Sequence, residues 1–182
     1  TKDKNNDRGN TNDAAQDSSQ NAPAADLSTL TMVAFNPPSD MNGYKPNDLG
    51  VATVRDYTDP TGNCDLQFGT LTSQQLPGAD LGEMLAPQIQ AFREAGAIIT
   101  GPNAGEALTL KTAGGQSYSM PTLTISFTKD RKHATSYYSA VILKGGNRAF
   151  VSRSCINAEG TVDENALKAV NDKAKQLTIT PQ

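Results

Sequence analysis

Apolar and polar positions alternate through most of the chain beyond residue 49, and the alternation predicts strands. Cys64, Leu66 and Phe68 interleave with Asp65, Gln67 and Gly69 at the two-residue period of a half-buried strand, which turns Cys64 inward. Leu123, Ile125 and Phe127 alternate with Thr122, Thr124, Ser126 and Thr128. This is the cleanest strand of the sequence, and its polar face is rich in threonine rather than charge. Segments 50–57, 97–100, 107–112, 137–144 and 148–155 are also strand-sized, with turn residues at 58–63, 101–105, Gly114-Gly115 and Gly145-Gly146 between them. Two stretches change to the helical period. Leu81, Leu85, Ile89 and Phe92 follow an Asp80/Glu83 capping box, with Gly96 ending the helix. Pro87 is expected to kink that helix or split off its first turn. Ala166, Leu167, Val170, Ala174 and Leu177 form a second apolar stripe behind a Thr161/Glu164 capping box, and residues 178–180 supply a last short strand.

Successive short turns imply antiparallel pairing, and both helices must bury their stripes on the resulting sheet. The expected fold is α+β: an antiparallel sheet of about six strands with helices packed on both faces, an α/β/α sandwich spanning residues 49–182. Residues 27–48 read as an irregular transitional segment. A short strand fits 30–35, after which Pro37, Pro38, Gly43 and Pro46 break any regular pattern. Phe35, Met41 and Tyr44 in this segment either drape over the domain or form a docking segment for a partner.

Composition adds a tail to this picture. Only 36% of residues are hydrophobic and mean hydropathy is −0.50, but the shortfall is concentrated at residues 1–26. These contain no aromatic and no aliphatic side chain larger than alanine, so they are expected to be a disordered polar tether. Net charge is −3, which argues against nucleic acid as a partner because phosphate-backbone binding needs a clustered positive surface. No run approaches the roughly 18 apolar residues of a transmembrane helix.

Cys64 and Cys155 are the only cysteines and His133 the only histidine. A zinc site needs about four Cys/His-type ligands, so neither a metal nor another cofactor is expected. The cysteines are either two buried thiols or one disulfide; the disulfide is the expected state, because the tail also suggests an extracytoplasmic protein. Any Ser/His/Asp or Cys/His mechanism would have to use His133, which falls at a hairpin tip where an orienting acid is hard to arrange. No catalytic residue is assigned, and the protein is expected not to be an enzyme. Lys129, Arg131, Lys132 and His133 at that tip are candidate contacts for an acidic partner or phosphate headgroups. Asp56, Asp59 and Asp65 cluster around one loop as ordinary turn chemistry. Tyr137 and Tyr138 face opposite sides of their strand. One belongs to the core. The other, beside Tyr118, is a candidate lining of a groove between sheet and helix that suits an apolar or amphiphilic ligand.

At Tyr137-Tyr-Ser-Ala-Val-Ile-Leu-Lys-Gly-Gly-Asn-Arg-Ala-Phe-Val-Ser-Arg-Ser-Cys155 and the helix and strand over 166–180, the chain resembles the secreted actinobacterial lipoproteins of the Lpq type, which share the Mog1/PsbP-like fold. The likeness spans residues 48–180 and rests on element order and the hairpin-then-helix ending. It implies an α/β/α sandwich used for binding rather than catalysis, with no site residues common to the family. With the tail, it implies a lipoprotein on the outer face of the cell membrane, anchored through a cysteine that would precede Thr1. The expected role is an accessory subunit that docks on a membrane-protein complex or on cell-envelope machinery. The alternative is a carrier for an envelope lipid or other amphiphile; an envelope hydrolase is the least expected.

Overall fold

Within residues 23–182, which the computed structural model describes, the strands divide between two sheets. In chain order they are β1 (Ala25–Asp26), β2 (Val33–Asn36), β3 (Lys45–Asn47), β4 (Val54–Thr58), β5 (Cys64–Leu71), β6 (Ile98–Ala104), β7 (Leu108–Thr112), β8 (Ser117–Met120), β9 (Thr122–Lys129), β10 (Lys132–Ile142), β11 (Arg148–Asn157) and β12 (Thr178–Pro181). The helices are α1 (Leu81–Glu94) and α2 (Glu164–Lys175). The larger sheet is antiparallel throughout, in the order β3-β4-β5-β11-β10-β9-β6. The smaller, β1-β8-β7-β12-β2, is mixed: β1 runs parallel to β8, and β7 parallel to β12.

The expected single sheet of about six strands with helices packed on both faces is thus corrected, as is the α/β/α sandwich implied by the resemblance. The protein is mostly β, with two sheets of five and seven strands. Opposite α1, the larger sheet is closed by the five-stranded sheet, with α2 beside it. Short turns identify which neighbours pair, but not which sheet a pair joins. The β7–β8 hairpin looks continuous with β9 in sequence, yet the chain changes sheets at Pro121, which has no N–H to continue a ladder.

The transitional segment is threaded into both sheets, β2 beside β12 and β3 at the edge beside β4. Of the tether expected over residues 1–26, positions 1–22 lie outside the described residues, and Ala25–Asp26 already pair with Tyr118–Ser119.

Half of the α1 capping box forms: Asp80 Oδ1 accepts from the Glu83 N–H at 2.9 Å, while Glu83 Oε2 accepts from the Ala79 N–H, one residue before the N-cap, at 2.6 Å. Pro87 does not split off the first turn. It lies on the solvent side, where water can satisfy the carbonyl its ring leaves free. At α2 the cap is Asp163 rather than Thr161; its Oδ1 accepts from the N–H groups of Asn165 and Ala166.

Alternation along β11 distributes its side chains between two cores. Phe150 packs with Leu81, Met84, Leu85 and Ile89 under α1. Val151 and Cys155 pack with Leu66, Phe68, Leu167 and Val170 on the opposite side. Cys64 and Cys155 stand opposite each other across β5 and β11, with Cα atoms 4.1 Å apart, and form a disulfide that closes a 91-residue separation. Replacing both cysteines by alanine is expected to lower the unfolding free energy by about 2–5 kcal/mol. Urea denaturation measures this, and an unchanged midpoint would remove the bond from the account of stability.

Candidate functional site

The two faces of the β9–β10–β11 region open into two depressions of different chemistry. Leu123, Ile125 and Phe127 of β9 lie towards α1, whereas Thr122, Thr124, Ser126 and Thr128 lie towards α2, as a period of two requires.

The groove beneath α1 has a volume of about 340 Å³. Its helix side and one wall are mainly apolar, formed by Leu85, Ile89, Phe92, Ile125 and Phe127 with Gln88 of α1 as the one polar side chain there, and the Phe92 and Phe127 rings stack at 4.6 Å between centroids. Its floor towards β5 and β11 is polar: Asp65, Gln67, Ser136, Ser152 and Ser154. Ser136 and Ser154 bond each other across the strands at 2.6 Å. No lysine, arginine or histidine lines it, and Asp65 is its one carboxylate. Burial holds Asp65 above the ordinary carboxylate range, with a further rise from the neighbouring Asp56 charge and a smaller one from Asp59; a hydrogen bond from Thr58 opposes them. Burial alone pushes Tyr138, at the same groove, up to about 12, so it remains a neutral phenol.

The depression beside α2 is polar and consists of two adjoining parts that share Tyr137 and Asn171. Hydroxyls pair across β9 and β10 along it: Thr122 with Ser139 at 2.6 Å, Ser126 with Thr135 at 3.0 Å, and Thr128 with Nδ1 of His133 at 3.2 Å. The inner part, about 250 Å³, ends on Arg153, which is only 2% exposed. Its Nε donates to Asn171 Oδ1, and its Nη1 donates to Ser139 Oγ and the Val151 carbonyl. Burial lowers its pKa to about 10, and proximity to Tyr137 opposes the drop, so the guanidinium keeps its charge at neutral pH. Arg148, also buried, differs: Leu76, Gly78 and Gly146 carbonyls accept from three of its nitrogens, so it pins the loop before α1 to the β10–β11 turn.

The candidates read from the sequence do not converge. Lys129, Arg131 and Lys132 are exposed at the β9–β10 tip, whereas His133 is half-buried and turned into the outer part of the α2 depression. Tyr118, Tyr137 and Tyr138 are dispersed as well. Tyr118 is buried in the core beside the five-stranded sheet, Tyr137 faces the α2 depression, and Tyr138 faces the α1 groove. Phe35 packs on Phe68, with centroids 6.1 Å apart, and Met41 packs against the same core. Tyr44 lies under the Lys173 ammonium at 5.7 Å, while Lys173 Nζ also donates to the Asp40 carbonyl. Asp56 accepts from Asn47 and Gln67 amides, and Asp59 accepts from Thr61 and the Cys64 N–H. Among the described residues no group of three or more His, Cys, Asp or Glu is placed to hold a metal ion, and no helix is long and apolar enough to cross a membrane.

Sequence reasoning missed Arg153 and the serine floor. Both were within reach of the alternation that turns Cys155 inward, since Arg153 shares the face of Cys155, and Ser152 and Ser154 share the other. No family model matches the chain, and no curated protein is detectably similar to it in sequence.

An acid with a raised folded pKa holds its proton more tightly when folded. Its ionised form therefore destabilises the fold above that pKa, and the penalty fades as pH falls through it towards the ordinary value. Asp65→Asn is accordingly expected to raise Tm slightly at neutral pH and to give no gain at about pH 3. Thermal melts at both pH values check this, and a lower Tm at neutral pH contradicts it.

Proposed function

We propose that this protein is a non-enzymatic binding module of the extracytoplasmic face of the cell envelope, and that it carries an amphiphile with a neutral or cationic head in the groove beneath α1. The observation that carries this reading is the chemical division of that groove. An apolar tail fits against Ile89, Phe92 and Phe127, and a hydroxyl or amine head can donate to Asp65 and exchange hydrogen bonds with Ser152 and Gln67. With Asp65 present and no cation lining the groove, an anionic head would be repelled. The disulfide supports an oxidising compartment, and attachment to the outer membrane face through a lipid is part of the same proposal. The docking role expected for residues 35–44 has less support, because Phe35, Met41 and Tyr44 are already engaged within the domain.

The test uses Nile red, a neutral fluorophore, with the purified protein. Saturable enhancement is expected, with displacement by a short-chain monoacylglycerol or alkylamine below its micelle concentration, and none by the corresponding fatty acid. Ser152→Phe, which fills the floor, is expected to weaken binding by at least about tenfold. Absence of saturable enhancement, or equal binding by Ser152→Phe, overturns the reading.

A further inference from the structure

We infer that the inner part of the α2 depression is a binding site for a small oxyanion, a carboxylate or phosphate monoester, held by Arg153. This site lies on the opposite face of the sheet from the α1 groove and is independent of it.

A buried guanidinium is costly to desolvate unless an opposite charge and a full set of acceptors replace its water. Arg153 has three neutral acceptors and no carboxylate: the only ion pair among the described residues is Lys168–Asp172 on the exposed side of α2. Its remaining nitrogen, Nη2, has no hydrogen-bond partner among the described residues. Among the described residues no fully buried side-chain polar atom lacks a partner, so Nη2 keeps some access to solvent, and Arg153 lines the depression. It is a charged donor at a cavity of about 250 Å³ that Arg153 lines, and with Nε and Nη1 already engaged an oxyanion would accept from Nη2 alone, as a charge-assisted hydrogen bond.

The surroundings fit such a ligand. Lys175 lies at the exposed rim and adds a second cation. Thr124 and Tyr137 line the wall. Asn171, which itself lines the depression, and Ser139 fix the guanidinium, so little side-chain entropy remains to be lost on binding. Glu106 is the one carboxylate at the rim; it is exposed and forms no ion pair with Arg153. By repelling an anion it makes the site selective for small acids that reach past it.

The purified full chain is titrated at constant ionic strength, in a chloride background, with inorganic phosphate, glycerol 3-phosphate and succinate, while amide and arginine Nε–H resonances are followed by NMR. Saturable shifts are expected at Arg153 Nε–H and at the amides of Ala107, Thr124 and Lys175 with at least one of them. Which probe binds tells phosphate esters from carboxylates. Arg153→Met is expected to weaken binding by at least about tenfold. Glu106→Gln is expected to tighten it by about twofold or more through removal of like charge at the rim. Because Glu106 is exposed, that variant reads the electrostatics even if Arg153→Met fails to fold. No saturable shift with any probe, shifts confined to the α1 groove, or binding indifferent to Glu106→Gln overturns the inference. Nile red binding beneath α1 is expected to stay unchanged throughout, so failure of one site does not speak for the other.

Discussion

The register of β11 between β5 and β10 is the constraint on which the rest of the structure depends. Side chains on a strand alternate strictly, so one register sends Phe150, Ser152 and Ser154 towards α1 and sends Val151, Arg153 and Cys155 towards α2. A slip of one residue would drive Arg153 into the groove under α1 and bring Phe150 against α2. The disulfide fixes this choice, because Cys155 can reach Cys64 only when the two stand opposite each other on one face. The apolar side chains alone would weakly resist such a slip near the serine positions, where the α1 face of β11 carries little hydrophobic volume. The covalent bond lies next to that weak stretch, two residues beyond Arg153 and beside Ser154.

The chemical difference between the two depressions follows from what covers each face. α1 carries a broad apolar stripe, and the strands below it answer with Ile125, Phe127, Ala140 and Phe150. α2 is shorter and lies over β11 and β5, with the five-stranded sheet beside it. The β9–β10 strip next to α2 is therefore left partly wet, and side chains there must be compatible with water while remaining close-packed. Threonine and serine satisfy both demands: they suit a pleated surface, and they pair across the strands, as Thr122 does with Ser139. Lysine or glutamate in the same places would hold opposed charges under a helix at a high desolvation cost. The threonine-rich face of β9 is thus a record of a half-covered polar trough.

Much of this was legible in the sequence, and what was not has identifiable physical reasons. Strand period, both apolar helical stripes, the inward Cys64 and the opposed Tyr137 and Tyr138 follow from local alternation, which is a property of neighbours in the chain. The partition into two sheets is not local. β12 joins β7 in parallel, and β1 joins β8, through contacts between residues far apart in sequence that no turn chemistry announces. For that reason Tyr118 lies apart from the sheet–helix groove that Tyr138 lines: it belongs to the other sheet. Arg153 was hidden by a different effect. An arginine in a strand reads as solvent-facing, and only its shared parity with Cys155 reveals that it points inward.

Arg148 and Arg153 lie five residues apart on one strand, and they are held in different ways. Both are buried, and neither has a carboxylate partner among the described residues. Arg148 donates to three backbone carbonyls, which by geometry close the loop before α1; replacing water with carbonyls is a structural use of a guanidinium, and nothing further is asked of it. Arg153 is held by a side-chain amide, a serine hydroxyl and one carbonyl, and the arrangement stops short of its last nitrogen. Each arginine makes three hydrogen bonds, but those of Arg148 engage all three of its nitrogens and those of Arg153 leave Nη2 without a partner among the described residues, and this difference separates a structural pin from the binding site proposed at Arg153.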